Sequence, residues 1–158
     1  MKLQDFVVPQ AILSQLANND RDGVIRELVE ALVEAGAAPQ SIKDELIKSL
    51  IDREKKGSTG FGKGVAVPHV KHQKIKRMAA GIGVSQKGVD FNALDKAPVF
   101  SIVLLLSPQD KPNEHLQAME IVFSNLQKDQ FRRFLRQAGT RKQVQDLLEE
   151  ADAQQLPS

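Results

Sequence analysis

Eight residues, Val99-Phe100-Ser101-Ile102-Val103-Leu104-Leu105-Leu106, form an almost unbroken apolar run between Pro98 and Pro108. A membrane span needs ~20 such residues, so this one is far too short. Its length, its β-branched members and its proline bounds fit a strand buried on both faces. Such a strand sits at the centre of a sheet with a layer on each side, and helices are the usual layers. A second strand is expected over 78–84. There Met78, Ala80, Ile82 and Val84 share one face, and Ala79, Gly81 and Gly83 leave the other nearly bare. A third and shorter strand, Val65-Ala66-Val67, ends at Pro68-His69.

The remaining chain reads mostly as helix. After an apolar entry, Phe6-Val7-Val8-Pro9, a weak helical signal runs through Ile12, Leu13 and Leu16. From Asp22 the pattern is firm: Val24, Leu28 and Leu32 recur every fourth residue, as do Ile25, Val29 and Val33. Asp20 or Asp22 can cap this helix, and Gly36 is placed to end it. The next begins near Pro39, buries Ile42, Leu46, Ile47, Leu50 and Ile51, and ends in a basic turn before Gly57. Helix-start chemistry at Asp110-Lys111-Pro112-Asn113 precedes a stripe of Leu116, Met119, Val122, Phe123 and Leu126. Two further helices are expected near 129–137 and 140–150. No repeat or low-complexity tract divides the 158 residues. The expectation is one α/β domain, a central mixed β-sheet flanked by helices on both faces. It covers 1–158, with 1–10 and 151–158 as terminal extensions.

Composition excludes several functions. There is no cysteine, hence no disulfide, thiolate metal site or cysteine nucleophile. Basic and acidic residues nearly balance, at a net charge of +2, and Tyr and Trp are absent. Both facts argue against a nucleic-acid binder. The basic run Lys71, Lys74, Lys76, Arg77 reads as a solvated edge, or else as an attraction for an acidic partner or a phosphate. Without a signal-like N-terminus or a spanning segment, a cytoplasmic location is expected, with no membrane insertion.

The reactive candidates gather around one loop. Gly57-Ser58-Thr59-Gly60-Phe61-Gly62-Lys63-Gly64 holds four glycines in eight residues, counting 57, 60, 62 and 64. Gly57-x4-Gly62-Lys63 matches the opening of a phosphate-binding P-loop, but position 64 lacks the hydroxyl that holds magnesium. The order helix–loop–strand also withholds the helix N-terminus that a P-loop needs. His69 follows the strand beside this loop, where α/β sheets place their sites. A neutral imidazole there is a competent nucleophile near pH 7. His115, in the first turn of its helix, is placed to help hold an anion. His72 stands three residues from His69 and so points to the opposite face of an extended segment, and no third metal ligand has a suitable spacing. No Gly-x-Ser-x-Gly elbow is present, and Glu149-Glu150 reads as a solvated pair.

Together, the run from Arg53-Glu54-Lys55-Lys56 through the glycine loop to Val65-Ala66-Val67-Pro68-His69 closely resembles a known active-site signature. It is that of the mannitol/fructose-type enzyme IIA of the bacterial phosphoenolpyruvate-dependent phosphotransferase system. Asn113-Glu114-His115-Leu116 is similar to the family's second histidine segment. The resemblance implies that His69 accepts a phosphoryl group from the phosphocarrier HPr, at Nε2. It also implies that His115 assists and that Arg53 lies near the phosphate; Thr59 is a further candidate donor, or a turn residue. No small-molecule cofactor is implied. Downstream, it implies either a IIB component in sugar transport or a regulated target protein, the second being the habit of the nitrogen-related branch that this chain resembles. The alternative is a binding module whose partner binding depends on the state of His69, without sugar transport. One position departs from the pattern: the family has a small residue after the histidine, and here it is Val70. Its bulk could alter partner docking or tilt His69.

Overall fold

The computed structural model describes residues 1–153. The apolar run becomes β5 (Val99–Pro108), buried along nearly its whole length. Antiparallel to it lies β4 (Ala79–Val89), which in turn pairs in parallel with β1 (Val7–Leu13) on its far side. On the other edge of β5, β2 (Val65–Ala66) and β3 (His69–His72) follow one another, both parallel to it. Pro68 separates them. It has no N–H to give, yet its carbonyl accepts from Leu105 N at 2.9 Å, so the ladder continues across the break.

Strand alternation divides β5 between two cores. Val103 and Leu105 face one, while Ile102, Leu104 and Leu106 face the other. The second core is closed by α2 (Arg21–Glu34) and α3 (Lys43–Lys56), the latter entered through a single 3-10 turn at Gln40–Ile42. The first is closed by α4 (Pro112–Leu126), α5 (Asp129–Gln137) and α6 (Arg141–Asp152), with the short α1 (Leu3–Phe6) against them. The bare face expected on β4 is filled from outside: a Cβ at Gly81 would meet Ala11 and Leu28, and one at Gly83 would meet Leu16. The sheet is mixed, with helices on both faces, as expected.

Three local expectations are corrected. The weak helix through Ile12 and Leu13 is the end of β1, whose parallel pairing with β4 outweighs a short helical periodicity. Residues 1–10, expected to extend from the domain, hold α1 and most of β1; Leu3, Phe6 and Val7 are buried, and Asp152 accepts from Leu3 N and Gln4 N. Leu116 is 63% exposed; the inner face of α4 is instead His115, Ala118, Val122, Asn125 and Leu126. The expected tail lies outside the described residues from position 154 on. Asp20 caps α2 by accepting from Gly23 N at 2.7 Å, and Gly36 follows the helix at φ 80°.

Candidate active site

Four elements converge on one place. His69 opens β3 opposite Leu105, so its side chain shares that residue's face, the side covered by α4. Val70 pairs with Leu106 and packs into the opposite core, beneath α2 and α3. The extra bulk after the histidine is therefore taken up inside the fold, on the face away from His69.

The His69 ring is oriented by its own chain. Its Nδ1 lies 2.8 Å from the Val67 carbonyl. A carbonyl only accepts, so Nδ1 carries the proton and Nε2 keeps its lone pair. The first turn of α4 brings His115 beside it, with ring centroids 5.6 Å apart and planes tilted by 45°. His115 is 5% exposed and its Nδ1 is 2.5 Å from the Ser107 hydroxyl. Burial chiefly, and then the nearby His69 and Lys71, hold the His115 pKa below its ordinary 6.5. His115 is thus neutral at pH 7, and Nε2 is the ring nitrogen turned away from Ser107.

The glycine loop is built from a carboxylate that the sequence alone did not single out. Glu54 is buried, and its Oε1 accepts from Thr59 N at 2.9 Å, closing the loop onto the last turn of α3. The Ser58 hydroxyl donates to the Phe91 carbonyl and accepts from Gly60 N, while Leu94 N donates to the Gly60 carbonyl. Phe61 then reaches α4, its ring 5.2 Å from that of Phe123. The loop is therefore fastened to the helix that carries His115. Buried and without a hydrogen-bond partner among the described residues are Glu54 Oε2 and Thr59 Oγ1.

His69 and His115 are brought together as expected. Arg53 is exposed and its Nη1 donates to the Gly57 carbonyl at 2.6 Å, so its side chain is held on the glycine loop. Thr59 meets the site through its backbone bond to Glu54. His72 is engaged elsewhere: its Nδ1 accepts from Lys74 N, so its Nε2 proton faces Glu45 on α3. Ser107 and Glu54 escaped the sequence reading, whereas Lys71 belongs to the basic run read there as a solvated edge or an attraction for a phosphate, and it lies near His115. A serine within a strand carries no signal of its own, and Glu54 stood out only as part of the signature.

The family model for "Phosphoenolpyruvate-dependent sugar phosphotransferase system, EIIA 2" matches residues 6–151. The chain belongs to this family. A nitrogen regulatory protein from Bradyrhizobium diazoefficiens is 33% identical over 119 residues, 75% of this chain and 76% of that one. The fructose-specific EIIABC component of Bacillus subtilis is 26% identical over 152 residues, 96% of this chain. The chain spans only 24% of that longer protein. Among solved structures, the nitrogen regulatory protein IIA-Ntr of Neisseria meningitidis superposes with a TM-score of 0.80 at 26% identity, covering 90% of this chain and 96% of that one. The EIIA resemblance read from the signature is thus shown for nearly the whole chain, as are its sugar-transport and nitrogen-regulatory relatives. Among the described residues no helix is long and apolar enough to cross a membrane.

Proposed function

We propose that His69 is the phosphoryl acceptor, and that the chain carries the group from HPr to a IIB component or to a regulated protein. The observation that carries this is the Val67 carbonyl on His69 Nδ1, which leaves Nε2 as a lone pair beside a buried neutral imidazole. The Nε2 pair attacks phosphorus as the donor's bond to it breaks, and that bonding pair returns to the donor. Roughly two negative charges then arrive on the ring. With Ser107 donating to its Nδ1, His115 presents an Nε2–H that bonds a phosphate oxygen. Lys71 adds charge on the same side. Arg53 reaches the phosphate by exchanging its Gly57 carbonyl for a charged oxygen, a stronger partner. The Thr59 hydroxyl, which has no partner among the described residues, is a second donor at the loop.

The test is intact mass after incubation with phosphoenolpyruvate, enzyme I and HPr. Wild type should gain one phosphate and His69→Ala none. The gain should vanish in acid, because a ring protonated at the nitrogen that does not bear phosphorus departs as neutral imidazole when the N–P bond is hydrolysed. No gain on folded wild type, with an active control acceptor, would contradict the proposal and favour a binding module. His115→Asn should slow phosphorylation by about 100- to 1000-fold, the cost of one preorganised donor to the transferring group.

A further inference from the structure

A second concave site lies along the same edge of the sheet. It is a cleft of ≈ 630 Å³, lined by Lys63, Gly64 and Ser101 from the sheet side and by Arg132, Arg133 and Arg136 from α5. That size is ordinary for a small-molecule pocket. Its place is set by register: Val65 pairs with Ser101, and His69 with Leu105, four residues further along β5. At 3.3 Å per residue the two sites are about 13 Å apart.

The unpaired charge in this cleft is predominantly positive, three cations to one carboxylate. Arg132 is paired with Asp129 and donates to the Leu126 carbonyl. Asp95, the other carboxylate in the lining, accepts from Ala97 N and forms no ion pair among the described residues, so it is the one negative charge that the cations outnumber. Lys63, Arg133 and Arg136 form no ion pair among the described residues. Arg136 lies over the Phe100 ring, its guanidinium carbon 3.4 Å from the centroid. Stacking fixes the plane of the guanidinium while its N–H groups stay at the rim, free to grip an anion. Lys63 is held in the left-handed region at φ 61°, a conformation a lysine adopts only when its surroundings impose it. Gly64, the next residue, lies close to the same Phe100 ring: a Cβ at 64 would meet that ring at 3.2 Å. The lysine of the unfulfilled Gly57-x4-Gly62-Lys63 pattern is therefore delivered to a cleft of arginines on the other side of its loop.

We propose that this cleft binds a phosphorylated small molecule, its phosphates held by Lys63, Arg133 and Arg136. Side-chain cations, not a helix N-terminus, would supply the recognition. The ligand would touch the loop that carries Thr59 and bonds Arg53, so it is placed to influence the histidine site. The binding itself does not depend on the role given to His69.

Titration calorimetry at physiological ionic strength, with pyrophosphate, ATP and fructose 1,6-bisphosphate as probes, tests this. Saturable binding of at least one probe is expected, weakened about tenfold or more in Arg136→Gln and in Lys63→Gly. Lys63→Gly suits the left-handed backbone at that position, so a loss of binding with an unchanged thermal midpoint belongs to the lost ammonium. Lys142→Gln, outside the cleft, should bind as wild type does. Equal affinity for all three probes would assign the site to phosphate groups alone, and a preference for ATP or for the sugar would name the rest of the ligand. No saturable binding of any probe up to about 1 mM, or equal weakening by Lys142→Gln and Arg136→Gln, would overturn the proposal.

Discussion

At the scale of single residues, the proposed phosphoryl site is one whose ring protons are fixed by the fold. His69 is held in one tautomer by a backbone carbonyl, and His115 is kept neutral by burial. The lowered His115 pKa has a consequence for stability. The unfolded chain takes up this proton near pH 6.5, while the folded chain resists it until a lower pH. Stability is therefore full above about 6.5 and falls as pH drops through the folded value. Denaturant unfolding at pH 7.5 and 5.5 should show that loss in wild type and a smaller one in His115→Asn. On phosphorylation of His69 the sign reverses, because a nearby dianion favours imidazolium. The His115 ring signals in NMR should then titrate at a higher pH than in the unmodified protein. Glu54 acts on the loop alone. Glu54→Ala would strand the buried Thr59 N–H, at a cost of about 1–3 kcal/mol in unfolding free energy. Glu54→Gln, which keeps an acceptor oxygen, should cost less.

At the scale of elements, the glycine loop and the broken strand β2–β3 do the positioning. Gly60 shows how little room the loop leaves: a Cβ there would lie 2.9 Å from the Ala93 Cβ and 3.2 Å from its Cα. Gly60→Ala should thus push the loop off residues 91–94, lowering stability by about 1–3 kcal/mol in thermal unfolding. Phosphorylation should also slow, since the same loop holds Phe61 against α4. The helices α2 and α3 and the strand β5 were legible because their apolar periodicity continues over eight or more residues. The strands β1 and β3 were not. β1 is an edge strand with exposed Pro9 and Gln10, so the alternation of a half-buried strand is broken. β3 is four mostly polar residues, extended because β5 lies beside them. Leu116 misled for the opposite reason. An apolar residue at the right spacing was read as core, whereas the buried position beside it belongs to His115.

At the scale of the whole molecule, one central strand organises both the packing and the chemistry. β5 divides its side chains between two cores and places Leu105 and Ser107 so that His69 and His115 meet at its end. Truncating Leu104 or Leu105, both fully buried, to alanine should cost about 2–5 kcal/mol. The three-layered fold and the histidine pair could be read from the chain because an apolar run and a long signature announce them. The bonds that orient the pair could not, since Val67 offers only a backbone carbonyl and Ser107 only an ordinary hydroxyl in a strand. Those bonds make the most specific claim, that Nε2 of His69 is the nucleophile. Long-range ¹H–¹⁵N NMR on the ring-labelled, phosphorylated protein reads it directly. Phosphorus attached to Nε2 of His69, with Nδ1 still protonated, is the predicted result. Phosphate on Nδ1, or on His115, would contradict the account.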